Sequence, residues 1–385
     1  MIYHDLESIS LSKPYRASNE LTYLKESLDS GHVSSLGVFS QKCESWFEKH
    51  LSCSRALMTH SCTAALEMVA LLIETQPGDE IILPSFTFVS TANAFALRGA
   101  SLKFADSLPN HPNVDPASII SLISSRTKAI VVVHYAGMAI DMDSLLVICR
   151  EKNIFLIEDA AQGMHSHYKN KPVGTIGDFA TFSFHETKPI SCGEGGMLII
   201  NRPEYIPLAE KILEKGTNKI EFKRGGVQSY EWNCLGSSFA ASQLQAAVLL
   251  AQLEEVDMIF EIRKSKWQIY DRELKIENFS FRLPQSFDFS SYNTSVFYLE
   301  ILKPSLRNIL IRKFNEKGIQ ATFHYKCLHT SPFGKQWNKE ELPNAKYWEE
   351  NIIRLPLHTD LSDLEVVKII GILNEFLSES ELWPI

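Results

Sequence analysis

The stretch Thr181-Phe-Ser-Phe-His-Glu-Thr-Lys188 ends an apolar run in a lysine, and Ile157-Glu-Asp-Ala-Ala-Gln162 ends an earlier apolar run in two acids. Both runs have the length and composition of buried strands. Ligand-binding side chains of open parallel sheets lie beyond the carboxyl ends of the strands. The sequence therefore predicts that a buried acid and the lysine lie side by side at one edge of a sheet.

An acid beside a lysine is what a pyridoxal phosphate enzyme needs. The amine of Lys188 would form a Schiff base with the cofactor aldehyde, and a carboxylate would keep the pyridine nitrogen protonated so that the ring accepts electrons. Asp159 is the better candidate for this carboxylate, because Glu158 has no recognisable partner pattern. Simpler interpretations stay open, since Asp159 can cap the next helix and a solitary lysine is normally a solvated surface charge.

The composition limits the class of protein. The 385 residues are 45% hydrophobic and 22% charged, with a formal net charge of -8. This is typical of a soluble globular protein with a large core. A mildly acidic chain without long basic runs binds nucleic acid poorly, and no apolar stretch is long enough to span a membrane. No signal peptide is evident at the N-terminus, so we expect a cytoplasmic protein without nucleic-acid or membrane partners.

Seven cysteines are scattered along the chain, namely Cys43, Cys53, Cys62, Cys149, Cys192, Cys234 and Cys327. Their number is odd and none forms a Cys-x-x-Cys pair, so neither a disulfide framework nor a zinc site is indicated. Free thiols in a reducing cytosol are the simple interpretation, and we expect no metal site.

Short apolar runs alternate with helical patterns between residues 55 and 200, within a large domain that we place at residues 1–250. The predicted strands are 80–84, 128–134, 154–158, 179–184 and 196–200. Helices are predicted at 63–73 and 143–152. Strands that alternate with helices indicate an α/β fold with a mostly parallel sheet.

The flanking segments follow different patterns. Residues 1 to about 50 are predicted to be a leader with one helix, because Leu21, Leu24 and Leu28 recur at helical spacing before Ser30-Gly31. Residues 213–233 are rich in glycine and charge, which predicts a long functional loop.

A long helical pattern at 242–275 joins the large domain to a smaller α+β domain at residues 251–385. In this domain we predict strands at 297–302 and at 319–325. The first of them alternates as a half-buried strand does. Helices are predicted at 306–317 and 364–377.

Candidate phosphate contacts lie in two places. Thr59-His-Ser-Cys-Thr-Ala-Ala-Leu66 has the pattern of a helix start, which Ser61 or Thr63 can cap. Free N–H groups at such a start bind phosphate well, although an ordinary capped helix is favoured on pattern alone. Ser183 lies in the strand before Lys188 and can also contact a phosphate.

Aromatic and titratable residues complete the candidate site. Pro84-Ser-Phe-Thr-Phe-Val-Ser-Thr-Ala-Asn93 places two aromatic side chains after a strand. Phe88 or Phe86 can stack on a flat cofactor ring, although core packing is the more common role. His324-Tyr-Lys-Cys-Leu-His329 gathers titratable groups in the small domain, where single histidines are more often structural than catalytic.

Together with the Gly-Glu-Gly-Gly turn that ends at residue 196, these motifs resemble the DegT-type sugar-nucleotide aminotransferases over nearly the whole chain. The resemblance implies the fold-type I architecture of aspartate aminotransferase, pyridoxal 5'-phosphate as cofactor, and a homodimer with shared active sites. Phe-His-Glu-Thr-Lys188, Val-His-Tyr-Ala-Gly137 and Glu-Lys-Gly-Thr-Asn218 are most similar to the branch that makes dTDP-4-amino-4,6-dideoxygalactose from dTDP-4-keto-6-deoxyglucose. An L-glutamate donor and a role in cell-surface polysaccharide, such as lipopolysaccharide O-antigen, are implied with it.

The resemblance also implies roles for single residues. Lys188 would carry the cofactor and shuttle the proton, with Asp159 at the pyridine nitrogen and Gln162 near the 3-hydroxyl. Phe88 would stack on the ring. The implied phosphate contacts are Ser183 and the backbone of Cys62 and Thr63, completed by a neighbouring subunit.

Two positions depart from the pattern of this family. Ser238 stands where the neighbouring subunit usually supplies an asparagine, and a serine can donate one hydrogen bond to the phosphate. Pro189 stands where an asparagine usually follows the lysine, and it lacks an N–H group, so the turn after Lys188 can differ locally.

Substrate contacts are expected within 213–233 and 324–329, where the candidates are Tyr325, His329, Lys219, Lys223 and Arg224. Several alternatives stay open. The substrate could be aminated at C3, yield a gluco product, or carry UDP. A pyridoxamine-dependent dehydratase is disfavoured by the lysine, and a non-catalytic sugar-nucleotide sensor is disfavoured by the retained acid and lysine.

Overall fold

The computed structural model describes residues 8–274, 281–291, 293–337 and 340–380. The N-terminal segment in which no signal peptide was evident, 1–7, and the predicted end of the long helix at residue 275 lie outside these ranges. Among the described residues, no helix combines the length and apolarity needed to cross a bilayer.

Helices and strands alternate through the first two thirds of the chain. The helices are α1 (Glu20–Asp29), α2 (Val38–Leu51), α3 (Cys62–Leu72), α4 (Val89–Ala96), α5 (Pro116–Ser121), α6 (Asp143–Lys152), α7 (Ile206–Leu213), α8 (Lys219–Lys223), α9 (Gln243–Glu254), α10 (Val256–Glu273), α11 (Pro304–Glu316), α12 (Pro343–Asn351) and α13 (Asp363–Ser380). The strands are β1 (Arg55–Thr59), β2 (Glu80–Pro84), β3 (Ser101–Ala105), β4 (Ser107–Leu108), β5 (His111–Val114), β6 (Thr127–Val133), β7 (Phe155–Asp159), β8 (His167–Tyr168), β9 (Lys171–Pro172), β10 (Phe179–Ser183), β11 (Gly196–Ile200), β12 (Phe281–Arg282), β13 (Ser290–Ser291), β14 (Phe297–Ile301) and β15 (Ile352–Leu355).

A seven-stranded sheet in the order β1-β11-β10-β7-β6-β2-β3 forms the centre of the large domain. Strand β11 runs antiparallel to both of its neighbours, and the remaining pairs are parallel. The strands are rich in β-branched and aromatic residues and are buried on both faces, as is typical of parallel sheets covered by helices. This confirms the predicted α/β class and all five predicted strands of the large domain.

The sheet brings the predicted acid and the strand before the lysine to one edge. Asp159 ends β7, where it lies opposite Val133 of β6 on one side and Thr181 of β10 on the other. Ser183 then ends β10, and the chain turns through Lys188 before it returns as β11. The site is therefore built where three adjacent strands end.

The leader contains two helices rather than one. Helix α1 forms where the leucine pattern predicted it, but α2 follows and packs against α9 and β1. Phe39, Cys43 and Phe47 recur every fourth residue on α2 and are buried, which is a helical signal that the prediction of a single helix overlooked.

The predicted long helix at 242–275 is divided into α9 and α10 at Glu255. The Glu255 carboxylate accepts hydrogen bonds from the hydroxyl of Tyr15 at 2.6 Å and the N–H of Ser18 at 2.9 Å, which ties the leader to this break. Beyond the break, α10 contributes Ile259 to the core of the large domain and Tyr270 to that of the small domain. The boundary near residue 250 stays a prediction.

The small domain differs from the sequence prediction at 319–325. This segment forms only isolated bridges, Ile9 with Ile319 and Thr322 with Arg354, so the predicted strand is wrong. Its apolar alternation is real, but β15 pairs along its length with β14 and meets this segment only at the Thr322–Arg354 bridge. The predicted strand at 297–302 is confirmed as β14, but its five residues are all buried rather than half-buried. The predicted loop 213–233 contains the short helix α8.

Strand β11 passes so close to the start of α3 that Gly196 has no room for a side chain. A Cβ at this position would lie 2.4 Å from the carbonyl carbon of Ser61. Because Gly196 also pairs with Thr59 and Ser183 on the two neighbouring strands, it cannot move away easily.

We therefore expect Gly196→Ala to destabilise the protein by about 1–3 kcal/mol and to weaken binding of the cofactor that the sequence predicts, because the start of α3 must shift. Urea unfolding and fluorescence titration with the cofactor measure the two effects. Gly371→Ala is the control, since nothing lies within 4 Å of its added Cβ on helix α13. If both variants had the same stability and the same cofactor affinity, the close approach of β11 to the start of α3 would be contradicted.

Candidate active site

Asp159 is a buried carboxylate at the end of β7, with 5% of its surface exposed. Its Oδ2 accepts a hydrogen bond from Thr91 Oγ1 at 2.8 Å, and its Oδ1 accepts one from the N–H of Ala161 at 3.2 Å. Burial raises the pKa of Asp159, whereas these two donors and the nearby Lys188 oppose the rise. The carboxylate thus retains acceptor capacity for a ligand in a site that excludes water.

Lys188 is half-buried on the turn between β10 and β11, where its N–H donates to the carbonyl of His185 at 2.9 Å. Burial lowers the pKa of the Lys188 amine, and interaction with Cys62 and Asp159 opposes this shift. The positive charge of Arg354 lowers the pKa further. A lowered pKa increases the neutral fraction of the amine, which is the nucleophilic form. Asp159 and Lys188 are close enough for the charge of each to affect the pKa of the other, from which we infer that both groups belong to one site.

Helix α3 begins beside this pair. Ser61 is its cap and accepts a hydrogen bond from the N–H of Ala64 at 3.1 Å, which decides between the two caps that the sequence allowed. The N–H groups of Cys62 and Thr63, in the first turn, have no acceptor within the helix and can bind an anion. The thiol of Cys62 lies 3.5 Å from Thr181 Oγ1, and burial raises its pKa to about 12.

Ser183 joins the same corner of the site. It lies opposite Gly196 in the β10–β11 register, and Gly196 packs against the backbone of Ser61 and Cys62. Ser183 Oγ has a single long hydrogen bond among the described residues, from the N–H of His185 at 3.5 Å. Its hydroxyl can therefore turn towards a phosphate at the start of α3.

The two aromatic candidates have different environments. Phe86 is 2% exposed and packs edge-on against Tyr135 and Tyr325, so it is a core residue, as its pattern favoured. Phe88 is 56% exposed, and its ring centroid lies 6.3 Å from that of Tyr325. Only Phe88 presents a free face at the mouth of the site.

Gln162 and Tyr325 connect the large domain to the small domain. Gln162 Oε1 accepts from the N–H of Ala136 at 2.6 Å, and its Nε2 donates to the hydroxyl of Tyr325 at 2.9 Å. Burial raises the pKa of Tyr325 to about 12, so the phenol stays protonated at neutral pH. The described part of the chain offers the Tyr325 hydroxyl hydrogen no acceptor, so this hydrogen can be donated to a ligand.

His324 extends this network. Its ring stacks on Tyr325 with a centroid separation of 3.9 Å, and its Nε2 lies 2.8 Å from Arg354 Nη1. A guanidinium only donates, so Nε2 accepts and the ring proton is on Nδ1, 3.2 Å from the Tyr135 hydroxyl. Burial, with Arg354 adding to it, lowers the pKa of His324, which is therefore neutral.

The chain as a whole matches a known family. A model of the DegT/DnrJ/EryC1/StrS aminotransferase family matches residues 14–374. The chain belongs to this family.

Individual relatives resemble this aminotransferase over their full length. GDP-perosamine synthase of Caulobacter vibrioides is 30% identical over 379 residues, which are 97% of this chain and 99% of that protein. The spore coat polysaccharide biosynthesis protein SpsC of Bacillus subtilis is 29% identical over 96% of this chain and 97% of its own.

Two solved structures have a TM-score of 0.90. TlmJ, an aminotransferase from Streptoalloteichus hindustanus, is 28% identical and covers 97% of this chain and 99% of its own. PseC of Helicobacter pylori, an aminotransferase of pseudoaminic acid biosynthesis, is 25% identical and covers 97% and 100%. The predicted fold, that of the pyridoxal phosphate-dependent aminotransferases, and the enzyme class are thereby confirmed: the chain is a sugar aminotransferase that uses pyridoxal phosphate.

The site residues fit this cofactor. The start of α3 offers N–H groups to a phosphate, Asp159 offers a buried carboxylate to a pyridine nitrogen, and Lys188 offers an amine to an aldehyde. Hydrogen bonds connect these parts through α4. Thr63 donates to Ser90 at 2.8 Å, and Thr91, the next residue of α4, donates to Asp159. Among the described residues, no group of three or more His, Cys, Asp and Glu side chains is arranged to hold a metal ion.

The remaining candidates lie in less connected positions. His329 is buried, and its Nδ1 lies 2.6 Å from the Ser85 hydroxyl. Lys219 Nζ is 3.0 Å from Glu214, and Arg224 makes two hydrogen bonds to Glu210 at 2.7 and 2.8 Å.

Two further candidates lie near these ion pairs. Lys223 donates to the carbonyl of Leu36 at 3.4 Å, and Ser238 is exposed and pairs through its backbone with Glu214. None of these contacts, nor those of Lys219 and Arg224, joins the segment to Lys188. Their roles in substrate or phosphate binding stay predictions.

Glu158 does have a partner pattern, which sequence reasoning did not recognise. Its buried carboxylate accepts from His134 Nε2 at 3.0 Å and from the N–H groups of Gly174, Ile176 and Gly177 at 2.9, 2.8 and 2.7 Å. Burial alone raises the pKa of Glu158, but these donors outweigh it and hold the pKa below its usual value. Glu158 therefore ties a second loop to the strand that carries Asp159.

We expect Glu158→Gln to destabilise the enzyme by about 2–4 kcal/mol at neutral pH, because an amide cannot accept all four hydrogen bonds. A carboxyl group with a depressed folded-state pKa stabilises above its unfolded pKa of about 4.3. The difference between wild type and variant should therefore be constant near neutral pH and shrink as pH falls below about 4. Urea unfolding at several pH values measures it.

Glu316→Gln is the matched control, because Glu316 is exposed on α11. It should change stability by less than about 0.5 kcal/mol at every pH. A pH-independent loss in Glu158→Gln, or a loss no larger than the control's, would contradict the role of the charge.

Proposed function

We propose that this enzyme transfers the amino group of L-glutamate to dTDP-4-keto-6-deoxyglucose and forms dTDP-4-amino-4,6-dideoxygalactose. The reaction would supply cell-surface polysaccharide, such as O-antigen, in the cytoplasm, with two subunits sharing their active sites. The observation that carries the proposal is the buried Asp159 carboxylate in one site with the Lys188 amine. The motifs around both residues favour this branch of the family.

Lys188 moves the proton in both half-reactions. When bound, pyridoxal phosphate supplies the electron sink that makes the α-hydrogen of an amino acid acidic. The Lys188 Nζ accepts that proton when it is neutral, a state that burial favours, and in the second half-reaction it donates a proton to the sugar carbon that receives the amino group. Because donor and acceptor use one site in turn, the kinetics should be ping-pong.

The other residues orient the reactants. With the cofactor bound, Asp159 would hold a proton on the pyridine nitrogen, and Phe88 would stack on the ring. Gln162 and Tyr325 join the two domains over the site, so closure between them would exclude water from the reacting atoms. Ser183 and the first turn of α3 fix the phosphate.

The sugar and nucleotide decide between this proposal and its alternatives. One relative is named as a synthase of a GDP-linked sugar, so GDP joins dTDP and UDP as a nucleotide to be tested. Amination at C3, or a gluco product, would keep the same Lys188 chemistry with another substrate pose. Tyr325, His329, Lys219 and Arg224 are the proposed substrate contacts. A non-catalytic sensor would bind the nucleotide without turnover.

We expect Lys188→Ala to abolish turnover while the protein stays folded, because the variant removes the amine that is proposed to bind the cofactor and to move the proton. Rates should fall by at least about 1,000-fold, a typical loss when a residue that serves as nucleophile and general base is removed. Turnover is measured with glutamate and the ketosugar nucleotide.

Borohydride reduction followed by peptide mass spectrometry should place the cofactor on Lys188 in the wild type. Lys215→Ala is the control, because Lys215 is a lysine whose amine pairs with Glu214 at 3.4 Å. Turnover by Lys188→Ala, or a label on another lysine, would overturn the assignment.

We expect a panel of ketosugar nucleotides to be discriminated. The panel pairs 4-keto and 3-keto sugars with dTDP, UDP and GDP, with glutamate as donor, and NMR identifies each product. The proposal requires fastest amination of dTDP-4-keto-6-deoxyglucose, with the new amine at C4 in the galacto configuration. A faster reaction with another member would replace the substrate, and binding without any product would favour a sensor.

A further inference from the structure

We propose that Thr91, supported by Thr87, is a positioning residue that keeps the Asp159 carboxylate ionised and directed at the pyridine nitrogen. The inference rests on the proposed role of Asp159 and adds two side chains that the sequence motifs did not single out. Both threonines lie in the segment between β2 and the first turn of α4.

The geometry is a chain of three side chains. Thr91 Oγ1 lies 2.8 Å from Asp159 Oδ2, and Thr87 Oγ1 lies 2.9 Å from Thr91 Oγ1. All three are buried, with 2%, 1% and 5% of their surfaces exposed in the order Thr87, Thr91 and Asp159. Water therefore has little access to the carboxylate, and the hydroxyl of Thr91 takes its place as a donor.

The direction of the chain follows from the number of hydrogens. A hydroxyl has one hydrogen, and an ionised carboxylate can only accept. Thr91 must therefore donate to Asp159, which leaves its oxygen as an acceptor for the hydroxyl of Thr87. The relay is consistent with a charged Asp159, and donation from Thr87 polarises Thr91 so that its own hydrogen bond strengthens.

The position of Thr91 on α4 connects it to the rest of the site. Phe88 precedes the helix as its cap residue, Ser90 accepts from Thr63, and Thr91 donates to Asp159. Three of the four residues 88–91 therefore serve the site: Phe88 is the proposed ring contact, Ser90 contacts Thr63 at the phosphate corner, and Thr91 contacts the acid. A donor carried on this rigid turn fixes the carboxylate relative to the other two parts of the site.

Without the Thr91 hydrogen bond, burial would favour the neutral acid. The N–H of Ala161 is the only other hydrogen-bond donor to the side chain of Asp159 among the described residues, and Lys188 is occupied with the cofactor in the working enzyme. A neutral acid cannot keep the pyridine nitrogen protonated. The expected consequence of losing Thr91 is therefore a change in the protonation of the cofactor.

The test uses the holoenzyme loaded with pyridoxal phosphate that carries ¹⁵N at the pyridine position. Thr91→Val keeps the shape of the side chain and removes the donor, whereas Thr91→Ser keeps the donor. We expect T91V to move the ¹⁵N signal towards that of unprotonated pyridine and to weaken cofactor binding by about tenfold or more. T91S should keep the wild-type signal.

Thr87→Val removes only the donor behind Thr91 and should move the signal in the same direction by a smaller amount. It decides the question if T91V binds too little cofactor to be observed. A wild-type ¹⁵N signal in T91V, or in T87V when T91V cannot be loaded, would overturn the inference.

Asp159→Asn separates this inference from the proposed function. If D159N and T91V both leave the ¹⁵N signal unchanged, the role of Asp159 itself is wrong. If D159N moves the signal and T91V does not, only the role of Thr91 is lost. A shift in both, with recovery in T91S, supports the relay.

Discussion

The site depends on a carboxylate that must stay charged where water is excluded. An ionised carboxylate in a dry interior costs several kcal/mol unless hydrogen bonds and opposite charge compensate it. Asp159 receives two donors, from Thr91 and the N–H of Ala161, and shares its site with Lys188. The strand order, which puts β6 and β10 on either side of β7, brings these partners together from distant parts of the chain.

The adjacent acids Glu158 and Asp159 show how hydrogen bonding separates an anchor from a functional group. Glu158 has four donors, and its pKa is held below its usual value. Asp159 has two donors, and its pKa is raised by burial. Glu158 has little acceptor capacity left, whereas Asp159 retains some for a cofactor. Successive side chains point to opposite faces of a strand, so one acid serves the scaffold and the other serves the site.

Sequence patterns predicted the parts of this structure that depend on local periodicity. Continuous β-branched runs identified the central strands, and the predicted position of Asp159 at a strand end is confirmed, whereas Lys188 lies on the turn after β10 ends at Ser183. The segment 319–325 alternates like a strand, but a strand needs a partner along its length, and β15 pairs with β14 and meets this segment only at the Thr322–Arg354 bridge. The hydrogen bond from Thr91 to Asp159 spans 68 residues and leaves no periodic signal in the sequence.

The start of α4 shows that the chain accepts a local cost at this site. Phe88 is the cap residue of α4 and makes no capping hydrogen bond, and most of its ring is exposed. A serine, threonine or aspartate at a cap position stabilises a helix by about 1 kcal/mol relative to residues that cannot cap. An exposed aromatic ring at this position therefore reduces stability in two ways. The helix lacks a capping hydrogen bond, and an apolar ring stays in contact with water. Such local conflicts are expected where a residue serves function, because stability alone would remove them. The same turn carries Thr91, so the uncapped start of α4 and the support of Asp159 belong to one functional element.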